Sequence, residues 1–197
     1  PGIVAAVQEL QRRFGVAIDI LPWRDPARHF RSDADWLATL QVALRPETRL
    51  LVLSHIHWNT GDLVPLAAIG TLCQQINRDR LSLSSRDQSD IGPARPLQIL
   101  VDAAQSVGVL PLNLSELPID FYAFTGHKWL GGPEGLGGLY VRPGASLNPA
   151  FIGWRGITTD RTGNPTGFKP DARRYEIATS AYPLQACLLY TSDAADE

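Results

Sequence analysis

The chain has 197 residues, 44% of them hydrophobic, with 18 Lys and Arg against 20 Asp and Glu for a net charge of −2. That is enough apolar sequence to bury the core of one large domain. The basic residues are scattered, which argues against a nucleic-acid partner, and no run approaches the roughly 18–20 apolar residues that span a bilayer, which argues against a membrane one.

In chain order, Ile3, Val7, Leu10 and Phe14 recur at helical spacing, and Gly15 stops the helix they predict. Val16 to Leu21 reads as a strand. Asp33 to Leu44 returns to helical spacing through Trp36, Leu37, Leu40 and Leu44, and Pro46 ends it. Arg49 to Ser54 is a continuous apolar run of strand length, the pattern of a strand covered on both faces. Pro65 to Ile76 is again helical. Ser82 to Pro96 is polar and carries Gly92, Pro93 and Pro96, so it reads as a surface loop. Leu97–Val101, Ile119–Phe124 and Gly138–Val141 read as three further strands, and Tyr182–Leu189 as a last helix. Strands alternating with helices argue for an α/β fold with a mainly parallel sheet flanked by helices. No internal repeat and no second-domain linker are visible.

Two cysteines, Cys73 and Cys187, lie far apart and form no Cys/His cluster of metal-ligand spacing, so no metal site is expected. Buried or free thiols of a reducing cytoplasm are the simple reading. The chain opens on Pro1 and contains no methionine, and its last residues, Thr191 to Glu197, are small and acidic after an apolar run. It therefore reads as a piece of a longer protein, with 188–197 as a non-native or disordered tail.

In a parallel sheet, ligands bind beyond the carboxyl ends of the strands. Three strand ends hold the polar groups. Asp102 and Gln105 follow Leu97–Val101, Thr125, His127 and Lys128 follow Ile119–Phe124, and Ser54, His55 and His57 follow Leu50–Leu53. Taken alone, Asp102 could cap the next turn and Lys128 could be a solvated surface residue. Together they suit pyridoxal 5′-phosphate (PLP). That cofactor needs a lysine to form a Schiff base with its aldehyde and a carboxylate to keep its pyridine nitrogen protonated. It also needs hydroxyl and imidazole groups for its phosphate. The chain between Asp102 and Lys128 is long enough for one strand–connection–strand unit.

The runs Val101-Asp102-Ala103-Ala104-Gln105-Ser106-Val107-Gly108 and Asp120-Phe121-Tyr122-Ala123-Phe124-Thr125-Gly126-His127-Lys128, followed by the glycine-rich 131–138, resemble the class V aminotransferase family of fold type I PLP enzymes. The resemblance covers about 2–186 and implies a PLP-dependent transferase (aspartate aminotransferase-like) large domain over 1–187. It also implies that this domain is partial, without the N-terminal phosphate loop and the C-terminal domain. It further implies Lys128 as the Schiff-base lysine, Asp102 as the pyridinium partner, and Gln105 on the ring 3′-oxygen. Thr125 and His127 then fall on the phosphate. At the position of His55, desulfurase-like members carry an Asn near the cofactor; a satisfied strand-end histidine is the other reading. Thr179 matches a threonine that reaches the PLP phosphate of the partner subunit in a homodimer, and also sits where it would cap Tyr182–Leu189. Trp154 and Arg155 either line the partner's substrate pocket or pack on the surface.

Within the family, Gly153-Trp154-Arg155, 163–167 and Ala178-Thr179-Ser180 look most like the cysteine/cystine C–S lyase and cysteine desulfurase-like branch. That implies sulfur release from an amino-acid substrate by β-elimination. A class V aminotransferase or epimerase acting on another amino acid is the alternative. Cys187, in a predicted helix, does not suit a persulfide-forming role, which needs exposure and a lowered pKa.

Overall fold

The computed structural model describes residues 2–21, 32–84 and 95–193. The first helix, α1 (Gly2–Phe14), is as expected, carries Glu9 paired with Arg12 and Arg13 on its surface, and buries none of its residues. The strand expected over 16–21 does not form. Its alternating pattern is present, but a strand exists only where an edge takes its hydrogen bonds, and these residues pair with none of the described strands. The second helix, α2 (Asp33–Ala43), begins in a capping box in which Ser32 Oγ accepts the Asp35 N–H and Asp35 Oδ2 accepts the Ser32 N–H.

Next come β1 (Leu50–Ser54) and α3 (Leu66–Ser84). The helix runs about two turns beyond the expected end at Ile76, and so takes in the start of the expected loop. The remainder of that loop, up to residue 94, lies outside the described residues. Apolar spacing lapses after Ile76, yet polar side chains carry the helix on. Asn77 brackets Leu97, donating to its carbonyl at 2.9 Å and accepting its N–H at 2.8 Å. Arg80 donates to the carbonyls of Thr48 and Arg45. Both ties hold the far end of α3 against the starts of strands.

Then follow β2 (Gln98–Asp102), β3 (Phe121–Thr125) and β4 (Gly137–Val141), in a sheet ordered β1-β2-β3-β4. The first three strands are parallel and β4 returns antiparallel to β3. The expectation of a mainly parallel sheet with helices is met. Among the described residues β1 pairs on one side only, with β2, and its residues are half-buried or exposed within this chain. Ile99, Val101 and Tyr122 point to one face and pack with Val64, Leu66, Ile69 and Cys73 in the core. The opposite face leaves Leu50 and Leu139 exposed. Cys73 is a buried free thiol, which desolvation, with Asp120 nearby, pushes up to about 11.

At the amino end of the sheet, the buried Asp120 is fully engaged. Its Oδ2 accepts the Ile99 N–H at 2.8 Å and its Oδ1 accepts from Arg142 at 2.5 Å. The backbone of Asp120 bonds Ile99 and Arg142 as well.

Past the sheet, β5 (Ile157–Thr159) and β6 (Pro165–Phe168) form an antiparallel hairpin that periodicity did not reveal. Its signal lies in the loop chemistry. Asp160 Oδ1 accepts the Thr162 hydroxyl and the N–H groups of Asn164 and Thr162, which holds its carboxyl down at about 2, and Gly163 takes a positive φ. A short 3-10 turn (Ala172–Tyr175) precedes α4 (Tyr182–Asp193), so the segment expected as a non-native or disordered tail is helical up to Asp193. Among the described residues, no helix is long and apolar enough to cross a membrane.

Candidate active site

The carboxyl ends of the three parallel strands lie level with one another. Ser54 pairs with Asp102, and Asp102 with Ala123. The His55 N–H donates to the Asp102 carbonyl at 2.9 Å and the Ala103 N–H to that of Ala123 at 2.7 Å. Because side chains alternate along a strand, this register sends Asp102, Ala123 and Thr125 to one face and Tyr122 and Phe124 to the other. That division sorts the candidate residues.

On the first face, Asp102 is half-buried. Its Oδ1 accepts the Ala104 N–H at 3.0 Å, closing a local turn, and no hydrogen bond to Oδ2 is formed among the described residues. The turn carries Gln105, whose amide oxygen accepts the Trp129 indole N–H at 3.0 Å. Thr125 closes β3, and its Oγ1 is buried with no hydrogen-bond partner. Next, Gly126, His127 and Lys128 leave the strand in a tight turn. The Gly132 N–H returns to the Gly126 carbonyl, and the Gly126 N–H reaches that of Leu136, both at 2.9 Å. His127 and Lys128 are exposed on this turn. The fold therefore brings Asp102, Gln105, Thr125, His127 and Lys128 to two adjoining turns at one end of the sheet.

His55 behaves differently. Its ring is buried, and its Nδ1 lies 2.7 Å from the Tyr122 hydroxyl on the core side of the sheet. Tyr122 also lies 2.7 Å from Ser106 Oγ, and Ser106 donates to the Ala103 carbonyl. His55 Nδ1, the Tyr122 hydroxyl and Ser106 Oγ thus form one continuous hydrogen-bonded chain on the core side. Burial lowers the pKa of His55, which favours its neutral form. Sequence reading missed Tyr122 and Ser106. The signal was a hydroxyl in the middle of an apolar strand, which must find a partner when buried. His55 also lines an apolar cleft of about 600 Å³ between the start of α3 and 110–117; Asp102 and Lys128 do not line it.

Thr179 is exposed and makes no side-chain hydrogen bond among the described residues. It does not cap α4, which begins at Tyr182. Arg155 pairs with Glu176 at 2.8 Å, bonds the Tyr182 hydroxyl and lies over the rings of Trp154 and Tyr182. The guanidinium is thus engaged within the chain.

Residues 90–194 match the aminotransferase class-V family. Isopenicillin N epimerase of Streptomyces clavuligerus is 34% identical over 150 residues, covering 73% of this chain and 33% of that protein. The cysteine desulfurase IscS of Escherichia coli O9:H4 (strain HS) is 38% identical over 106 residues, covering 54% and 21%. The structure of the cystine C–S lyase C-DES in complex with its reaction product cysteine persulfide superposes with a TM-score of 0.82. It is 42% identical, over all of this chain and 47% of its own. A mutant of C-DES with glycine covalently linked to its PLP cofactor matches equally well. The chain thus spans between a fifth and a half of the relatives it matches. It belongs to the aminotransferase class-V family.

Proposed function

We propose that this member of the class V aminotransferase family is part of a PLP-dependent enzyme that releases sulfur from cysteine or cystine by β-elimination. The observation that carries this reading is the 42% identity to C-DES, a cystine C–S lyase, over the whole of the chain. The chain corresponds, in this reading, to part of the PLP-binding large domain over 1–187.

The residues present fit the cofactor. A buried hydroxyl without a partner costs on the order of 1–3 kcal/mol, and Thr125 Oγ1 is such a group. A phosphate oxygen would satisfy it, with His127 as a second donor on the same turn. Asp102 has one oxygen engaged and one to spare, a carboxylate suited to hold a proton on the pyridine nitrogen. Lys128 presents an exposed amine two residues beyond the glycine that opens the turn. Bound there, PLP would supply an electron sink for the pair left at the substrate Cα.

The chain's own residues account for the rest. The Lys128 amine would take the Cα proton of a bound substrate. The pair from the broken Cα–H bond forms a Cα–Cβ double bond, and the Cβ–S bond breaks with its electrons leaving on sulfur. With cystine, the sulfur departs as cysteine persulfide, and the three-carbon remainder hydrolyses to pyruvate and ammonia. Asp102 would hold a proton on the pyridine nitrogen of the bound cofactor. Thr179 would act from the partner subunit of a homodimer, and His55 would support the strand end from beneath. Two unpaired cysteines accord with a cytoplasmic setting.

The test is an assay of the complete protein with cystine and, separately, with cysteine. Pyruvate in step with cysteine persulfide from cystine supports the lyase, whereas alanine from cysteine, with the sulfur left as a persulfide on a protein thiol, indicates desulfuration. The identity to isopenicillin N epimerase favours a second reading, epimerisation or transamination of another amino acid. Exchange of the substrate α-proton with solvent, without pyruvate or persulfide, would establish it.

A further inference from the structure

Trp129 follows Lys128 directly, and no part of the proposed chemistry uses it. It nevertheless joins the two turns on which that chemistry rests. Its indole N–H donates to Gln105 Oε1 at 3.0 Å. Its backbone meets the same turn at Gly108, where an added Cβ would lie 2.6 Å from the Trp129 carbonyl oxygen. Gly108 also has φ of +87°, so the position favours glycine on both counts. The Asp102–Gln105 turn and the lysine turn are thus locked at two points, one through side chains and one through backbone.

The side-chain contact has a chemical consequence. An indole nitrogen only donates, so the Gln105 group facing it must be the amide oxygen. What Gln105 keeps is its NH2, which makes no hydrogen bond among the described residues and which can only donate. Without the indole, the amide could turn over and present either end. With it, the end of the Gln105 amide turned away from the indole is the NH2 donor, the complement of an anionic ring oxygen. We infer that Trp129 is a positioning residue that fixes the Gln105 amide as a donor to the 3′-oxygen of bound PLP. This rests on the PLP reading above.

The test is a double-mutant cycle in the complete protein, with PLP affinity and the visible spectrum of bound PLP as readouts. Trp129→Phe keeps an aromatic body at an exposed position but removes the donor. It is expected to weaken PLP binding by roughly twofold to tenfold, the range of one neutral hydrogen bond, and to move the absorbance maximum in the same direction as Gln105→Leu. In the Gln105→Leu background the same change is expected to do nothing further. A Trp129→Phe effect that persists undiminished in that background, or no spectral shift where Gln105→Leu gives one, overturns the inference. A measurement without any Trp129 variant stands beside it. The Trp129 indole N–H resonance of the PLP-free protein should shift on Gln105→Leu, and an unmoved resonance also overturns the contact. Lys128→Ala in the same series separates the two levels. If PLP remains reducibly linked to that variant, the cofactor reading falls and takes this inference with it. If the link is lost while the cycle shows no coupling, the inference alone falls.

Discussion

Two aspartates stand at opposite ends of the sheet, and their surroundings differ. Asp120, at the amino end, is buried and spends both oxygens on Ile99 and Arg142. Asp102, at the carboxyl end, is half-buried, spends one oxygen on its own turn and keeps the other. Beside Asp120 the backbone is paired across three strands, and the Nε of Arg142 is buried without a partner among the described residues; at the Asp102 end the same holds for the Thr125 hydroxyl. Satisfied groups hold a fold together, while groups with bonding capacity left over are where a ligand gains affinity. In the PLP reading, the difference between the two carboxylates sets a structural end of the sheet against a chemical one.

Substitutions at the two ends should therefore move different observables. The largest effect is expected of Lys128→Ala, which in the complete protein should abolish the borohydride-reducible link to PLP and turnover while leaving noncovalent PLP binding measurable. An unchanged reducible link would remove the lysine from the centre of the site. Asp102→Asn keeps the shape and removes the charge. It should lower kcat by about a hundredfold or more and PLP affinity by less than about tenfold, since the proton it holds matters most in the transition state. Equal losses in both would make Asp102 chiefly a binding residue. At the other end, Asp120→Ala should leave kcat intact and reduce unfolding free energy by about 2–3 kcal/mol, because Ile99 N–H and Arg142 lose a charged partner. Denaturant unfolding with parallel kinetics reads both, and a kcat loss without a stability loss would erase the distinction between the ends.

Thr179→Ala should weaken PLP retention severalfold in the complete protein. When mixed with Lys128→Ala subunits, it should recover activity, because one mixed site then has both groups intact. No recovery despite proven subunit exchange would place Thr179 outside a shared site. The smallest effect concerns pH. Burial lowers the pKa of His55, so the folded state prefers the neutral ring. Its contribution is present above the unfolded value of about 6.5 and is lost as pH falls through the folded one, because the unfolded chain then binds the additional proton. Urea midpoints taken downward from about pH 7 should fall more steeply for the natural protein than for His55→Gln. Parallel slopes would show that His55 does not titrate with unfolding.

The two ends also differ in how much of each could be seen in the sequence. The carboxyl end was legible because its groups are chemically unusual for their positions. An aspartate closing an apolar strand and a threonine, histidine and lysine closing another form a pattern that packing does not require. That β1 pairs on one side only within the described residues was not legible, since an apolar run reads the same whichever strands flank it. Nor was the true end of α3, because Asn77 and Arg80 extend the helix through bonds to backbone carbonyls distant in sequence. The missing strand over 16–21 has the same origin: an alternating pattern is local, but the partner that makes it a strand is not. His55 illustrates the limit at the site itself. Its place at a strand end could be read, but the side of the sheet its ring occupies depends on Tyr122 and Ser106.

The antiparallel return of β4 also separates the two halves of the site in time. Thr125 pairs with Gly137, so the segment carrying Lys128 is the loop of a hairpin, closed by contacts close together in the chain. Asp102 instead reaches its place through a parallel pairing with β1 that must first close a long loop containing α3. Closing the longer loop costs on the order of 1 kcal/mol more chain entropy than closing the hairpin. The lysine's turn is therefore expected to form first, and the pairing of Asp102 with Ala123 across β2 and β3 to set the two turns at the same end of the sheet.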